Sequence, residues 1–413
     1  MNVQFIIIGD EILSGRTQDI NTKFLGGFLL KQGHKLTKVI TIGDDPKTMR
    51  ETFLQATSEA QLVLTSGGVG PTLDDLTKKI SAETFGKKLV ESKAAEIVVI
   101  DNYLRFGREW NQKNFYHVFP EDYVPVPNPC GLAPGLLYFD QKKNFAIAHA
   151  PGVPREFYEM VQTQILPLAE KLLGANTTPT KQFCVRTHGV PEETIFFKLC
   201  PDLWQELEKF GKVSSLPHVV GVDIIITYDA KIFPTADADL RNIFLQTPLL
   251  PNIWHWGNES LPEIILQKAT KKNITIGFAE SCTGGLTSSR LTDLPGSSQI
   301  FKGSVVAYAN ELKINLLGVK ENTLNKFGAV STECALEMAV GAQKNLGVDL
   351  AISFTGIAGP TGGTTEKPVG AVCIGWAFNK NSGAEKFEFK GDRLKLKERF
   401  SERGLLKILE LLN

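Results

Sequence analysis

The run Ile274-Thr275-Ile276-Gly277-Phe278 is β-like and leads directly into Ala279-Glu280-Ser281-Cys282-Thr283-Gly284-Gly285. Leu286 to Leu291 then continues with helical character. An apolar strand that ends in small hydroxylated residues and opens a glycine-started helix confines this part of the chain to a strand–turn–helix unit. Ser281, Cys282 and Thr283 fall at the turn, where helix N–H groups and the helix dipole favour developing negative charge. Such a turn suits covalent or oxyanion chemistry. Taken alone it is also an ordinary helix N-cap.

The 413 residues predict two or three domains. With 45 acidic against 45 basic residues the formal net charge is zero, which disfavours a broad basic face for nucleic acid. No apolar run approaches the roughly 20 residues needed to span a bilayer. The start of the chain passes straight into Phe5–Ile8 and then Asp10 and Glu11, which reads as a first strand rather than a signal peptide. The six cysteines are Cys130, Cys184, Cys200, Cys282, Cys334 and Cys373, with no C-x-x-C pair and no histidine at zinc-finger spacing. A reduced, cytoplasmic protein is expected. Five of these cysteines read as small buried residues, and Cys282 stands apart because of its place in the turn.

Three blocks are expected, at 1–170, 171–252 and 253–413. The first alternates strand Val3–Ile8, helix Ile20–Lys31, strand Lys35–Ile40, helix Pro46–Ala60 and the buried strand Leu62–Leu64. That alternation predicts a mostly parallel sheet covered on both faces. Leu172–Thr180 reads as a linker. The middle block, with strands Gln182–Thr187 and Val222–Tyr228 around helix Glu192–Leu199, is expected to be a small α+β unit. The third block alternates again, through helix Leu261–Lys271, strand Gly303–Tyr308, helix Thr332–Leu346, strands Leu350–Phe354 and Gly370–Ala377, and a closing helix near Leu396–Leu411.

Strand C-termini in a parallel α/β sheet share one edge, and sites collect there. Ser281, Tyr308 and Thr355 are each expected at such an end. A serine nucleophile needs a base, and no histidine lies within this block beyond His255 at its boundary. Lys313 is the candidate base, provided burial lowers its pKa, and Tyr308 can relay a proton or orient a leaving group. The glycine-rich loop from Gly356 through Gly359 to Gly370 can bring N–H groups to a phosphate or ribose. Cys282 is the rival nucleophile.

On the motifs Ala279–Gly285, Tyr308–Lys313, Thr355–Pro360, Gly363–Gly370 and Gly391-Asp392-Arg393, the third block resembles the C-terminal domain of the CinA family, the nicotinamide-nucleotide amidase. The resemblance implies deamidation of nicotinamide mononucleotide to nicotinate mononucleotide and ammonia, with no cofactor. It places the nucleophile on Ser281, the tyrosine and lysine on Tyr308 and Lys313, and the threonine on Thr355. An arginine near the closing helix falls on Arg393, suited to hold a phosphate bidentately. Thr283, Gly284, Gly356 and Gly359 are expected to contact substrate.

The first block carries Gly9-Asp10-Glu11 and, after its buried strand, Gly67-Gly68-Val69-Gly70 with Asp74 and Asp75 close behind. Closely spaced glycines let N–H groups meet an anion, and Asp74, Asp75 and Glu11 can hold a divalent cation beside it. A glycine turn with an aspartate N-cap is the plainer alternative. Gly67-Gly68-x-Gly70 followed by Asp75-x-Thr77 resembles the molybdopterin-binding fold, in the version fused at the N-terminus of CinA. That resemblance implies metal-dependent hydrolysis of ADP-ribose. The middle block, through Gly189–Glu193 and Val222–Ile226, resembles the KH-like connecting domain of the full-length family; without a Gly-x-x-Gly loop it is expected to be a spacer that does not bind RNA. The chain is thus expected to be α/β overall: a molybdopterin-binding-like α/β domain, a KH-like α+β domain and an α/β amidase domain. A homodimer acting on small nucleotides is expected, with neither nucleic acid nor membrane as partner. A pterin- or nucleotide-binding regulator without catalysis is the alternative from another class.

Overall fold

The computed structural model of the chain describes residues 1–72, 75–175, 180–219 and 221–413. The chain divides into two compact units. One comprises Met1–Gln182 with Thr227–Ala236, and the other Phe183–Ile226 with Asp237–Asn413. Of the expected linker Leu172–Thr180, Leu172 and Leu173 end a helix, Thr180 starts a strand, and residues 176–179 lie outside the described set.

The first unit is built on a six-stranded sheet. Its strands are β1 (Asn2–Ile8), β2 (Lys35–Ile42), β3 (Leu62–Ser66), β6 (Val124–Val126), β7 (Gly135–Asp140) and β8 (Phe145–Ala150), and β4 (Leu89–Glu91) pairs with β5 (Val118–Pro120) separately. The sheet order is β2-β1-β3-β8-β7-β6. β1, β2, β3 and β8 run parallel, whereas β7 and β6 are antiparallel additions. The apolar runs of β1, β3 and β8 are continuous because helices cover both faces, so neither side of the strand meets water. One core lies against the helices Asn21–Lys31 and Pro154–Met160, the other against Pro46–Glu59 and Thr77–Thr84.

Two further sheets follow along the chain. The smaller has the order β10-β11-β9-β12, from β9 (Thr180–Thr187), β10 (Lys212–Pro217), β11 (Val222–Asp229) and β12 (Ile253–Trp256). The larger has the order β14-β13-β15-β16-β17, from β13 (Ile276–Glu280), β14 (Phe301–Val306), β15 (Leu350–Gly356), β16 (Ala371–Phe378) and β17 (Asn381–Glu388). β14, β13 and β15 are parallel, so their C-terminal ends share one edge. β16 and β17 turn back antiparallel because no helix separates them from β15; parallel return needs a long crossover. Helices Leu261–Lys272 and Arg393–Leu412 pack on one face of this sheet, and Asn310–Leu317 and Thr332–Leu346 on the other.

Local signals set these helix limits. Ser260 and Glu263 form a reciprocal capping box at the start of Leu261–Lys272, which ends at Asn273 in the left-handed region. Asp392 caps the closing helix by accepting from Lys395 N. That helix begins three residues before the expected Leu396, which brings Arg393 into its first turn.

Candidate functional site

The shared edge of β13, β14 and β15 carries a cavity of about 220 Å³ lined by Ser281, Cys282, Tyr308, Asn310, Lys313, Thr355, Gly356 and Arg393, with Ala329, Val330 and Ala358. Ser281 follows the last residue of β13, and its N–H donates to Phe354 O of β15 at 3.0 Å. The turn continues through Gly284 (φ 62°) and Gly285 (φ 94°), both in the left-handed region, where a side chain is strained. Ser281 is 8% exposed, and among the described residues no hydrogen bond holds its Oγ.

Lys313, in the first turn of Asn310–Leu317, is only 1% exposed. Its Nζ donates to Ala307 O and to Tyr308 O, each at 3.0 Å. No carboxylate forms an ion pair with it among the described residues, and burial depresses its pKa below the ordinary lysine value. Tyr308 lies two residues beyond β14 rather than within it, and is 61% exposed. Its hydroxyl accepts from Arg393 Nη2 at 3.2 Å, while Arg393 Nη1 donates to Gly359 O at 2.5 Å. Thr355 is buried in β15 and donates to Ala329 O at 2.7 Å. The structure thus brings Ser281, Tyr308, Lys313, Thr355, Gly356 and Arg393 together. Gly359 meets the cavity only through Arg393, and Thr283 and Gly284 lie outside its lining. Thr283 is fully buried, with no partner for its Oγ1 among the described residues.

One expectation is corrected. The helix start was expected to receive negative charge from the reaction, but a carboxylate already occupies it. Glu280 accepts from Gly285 N (3.0 Å), Thr287 N (3.1 Å), Ser288 N (2.9 Å) and Ser288 Oγ (2.5 Å). Within the turn, Gly284 N donates to Ser281 O and Leu286 N to Thr283 O. No carbonyl or carboxylate takes the N–H of Cys282 or Thr283 among the described residues, and both point to the Cys282 thiol. Burial, with Glu280 adding to it, pushes the Cys282 thiol up to about 12, so it is protonated at neutral pH.

Sequence reasoning missed Asn310, Ala329 and Val330 as lining residues. Asn310 sits inside the Tyr308–Lys313 motif, but Ala329 and Val330 precede the helix Thr332–Leu346 with no motif to mark them. The role of Glu280 had a signal: a carboxylate closing an apolar strand must find buried donors.

The first unit holds two adjoining cavities of about 480 and 460 Å³, both lined by Gly68, Asp75, Gly152 and Val153. Gly70, Arg108, Tyr116 and Glu156 line one, and Gly67 and Glu11 the other. At Gly67 (φ 112°) an added Cβ would sit 2.1 Å from Ile8 O, so only glycine lets β3 turn there. Thr77 fastens the loop, its Oγ1 donating to Gly67 O and its N to Gly68 O, both at 3.0 Å. Asp75 Oδ2 accepts from Thr72 N at 2.9 Å and Thr72 Oγ1 at 2.5 Å. Asp74 lies outside the described residues. Glu11 and Asp75 line one cavity, yet among the described residues no three metal-ligating side chains cluster. Among the described residues no helix is long and apolar enough to cross a membrane.

Residues 258–412 match the model of the CinA C-terminal domain, and residues 4–171 that of a probable molybdopterin binding domain. The chain is similar to a putative competence-damage inducible protein of Halothermothrix orenii, at 38% identity over 405 residues, covering 96% of this chain and 95% of that one. It is also similar to a CinA-like protein of Kosmotoga olearia, at 35% identity over 419 residues, covering 97% and 96%. Among solved structures, the competence/damage inducible protein CihA of Agrobacterium tumefaciens matches at 35% identity and a TM-score of 0.37, covering 37% of this chain and 94% of that one.

Proposed function

The chain belongs to the CinA family, and from that premise we propose that its second unit hydrolyses the carboxamide of nicotinamide mononucleotide, releasing ammonia and nicotinate mononucleotide. The observation that carries this reading is the meeting of Ser281, Lys313, Tyr308, Thr355 and Arg393 around one cavity. Lys313, neutral in its buried setting, takes the Ser281 proton as Oγ attacks the carboxamide carbon. The N–H groups of Cys282 and Thr283 receive the oxyanion; losing one such donor costs about 10²–10³ in rate. The carbon–nitrogen bond then breaks, and Lys313 returns its proton to the departing ammonia, with Tyr308 orienting that group. Water hydrolyses the resulting ester, and Ser281 regains its proton. None of these steps calls on a metal. Arg393 exchanges its contacts with Gly359 O and Tyr308 Oη for the phosphate. Rapid quenching during turnover tests the scheme: an acyl adduct of nicotinate mononucleotide on Ser281 is expected, and an adduct on any other residue would overturn it.

For the first unit we propose binding and hydrolysis of a pyrophosphate-linked nucleotide such as ADP-ribose. The observation in favour is the pair of cavities meeting at Gly68 and Asp75, with a chamber on either side of a glycine loop for the two halves of such a ligand.

A further inference from the structure

Glu280 is fully buried, with no lysine or arginine paired to it among the described residues. A buried carboxylate persists only where hydrogen bonds replace water. Here four donors do so: three main-chain N–H groups from the start of the helix Leu286–Thr292 and the Ser288 hydroxyl. These N–H groups would otherwise lack partners within the helix. The main chain of Glu280 is fixed as well, since its carbonyl accepts from Ala307 N at 2.9 Å at the end of β14. One residue thus joins the sheet edge to the helix start and closes a ring across residues 281–284, the turn that carries the nucleophile.

We infer that Glu280 is a positioning residue for the amidase reaction, whose carboxylate holds the 281–284 turn so that Ser281 Oγ and the N–H groups of Cys282 and Thr283 face the same substrate carbon. The division of donors supports this. Phe354 O takes Ser281 N, Ser281 O takes Gly284 N, Thr283 O takes Leu286 N, and Glu280 takes the next available ones. Among the described residues no carbonyl or carboxylate takes the N–H of Cys282 or Thr283; both lie against the Cys282 thiol, a weak acceptor that they can exchange for the oxyanion. Burial keeps Cys282 a thiol, and the Glu280 carboxylate beside it adds to that, which leaves attack to Ser281.

This inference rests on the amidase reading, and its test separates the two. Glu280→Ala deletes atoms equivalent to acetate. Ammonia release from nicotinamide mononucleotide is measured in the full chain with and without added acetate or formate. Wild type releasing ammonia, Glu280→Ala losing about 10²-fold in kcat with KM within about threefold, and acetate restoring at least about tenfold in a saturable way are expected. The same acetate leaves wild type and the Ser281→Ala, Glu280→Ala double variant unchanged. No release by wild type would sink the amidase reading itself. Wild-type release with an unimpaired Glu280→Ala, or with a raised KM alone, would overturn the role of Glu280. So would a folded Glu280→Ala that acetate fails to rescue. If Glu280→Ala does not fold, the isosteric Glu280→Gln decides: reduced kcat at unchanged KM is expected, and wild-type kcat overturns the role.

Discussion

Lys313 Nζ donates to Tyr308 O at 3.0 Å, so the buried amine of the proposed base is held by the main chain of the residue that orients the leaving group. Burial drives this lysine toward its neutral form, outweighing the Glu311 carboxylate, and among the described residues no carboxylate forms an ion pair with it. Because the neutral amine is the active form, kcat/KM should rise with pH through a value below the ordinary lysine range and then level off. Lys313→Arg, charged at any working pH, should fold and lose about 10²–10⁴ in rate. A pH–rate profile checks the first, and an unchanged rate in the arginine variant would remove Lys313 as base.

The linked stability effect has a definite sign. A lysine whose folded pKa lies below its unfolded value binds fewer protons folded than unfolded between those two values. Stability from this group therefore rises with pH across that window, is fully present above the unfolded value, and is lost as pH falls through the folded one. Denaturant titrations of wild type and Lys313→Met should show this slope only in wild type.

Cys282, with its thiol raised to about 12, should be chemically quiet. Cys282→Ser is expected to keep activity within several-fold. Iodoacetamide at pH 8 should leave the folded protein's Cys282 unmodified and label it after denaturation. Rapid alkylation in the folded state, coupled to loss of activity, would favour Cys282 over Ser281 as nucleophile.

Arg393 stands at the first helical residue after Asp392, with one guanidinium nitrogen on Gly359 O and another on Tyr308 Oη. As phosphate ligand it should contribute about 1.5–3 kcal/mol, the range for hydrogen bonds to charged groups. Arg393→Ala should raise KM for nicotinamide mononucleotide about tenfold or more, and leave turnover of the phosphate-free riboside unchanged. Equal losses on both substrates would contradict the assignment.

In the first unit, Asp75 Oδ2 accepts two bonds from Thr72 and lies where the two cavities meet. Asp75→Asn should abolish ADP-ribose hydrolysis and spare ammonia release. Retention of both activities would remove Asp75 from that chemistry.

Much of this arrangement is legible in the amino-acid sequence. Apolar runs such as Phe5–Ile8 and Leu350–Phe354 announce strands buried on both faces, and parallel pairing carries Ser281 and Thr355 to one edge. β17 escaped notice because Asn381–Glu388 is half-exposed and rich in polar residues, and so lacks an apolar alternation. Tyr308 belongs to a loop rather than a strand end, since pairing with β13 stops at Val306. The glycine-started helix was legible but its partner was not. Only the folded arrangement shows that Glu280 reaches over the turn to take Gly285, Thr287 and Ser288 N–H groups. Ala329 and Val330 reach the cavity from between two helices, where spacing along the chain gives no warning.

The most direct measurement is ammonia release from nicotinamide mononucleotide by the purified chain without added metal, with Ser281→Ala in parallel. The account predicts steady release by wild type and none above background by the variant. Release by folded Ser281→Ala at the wild-type rate, or none by either protein, would contradict it.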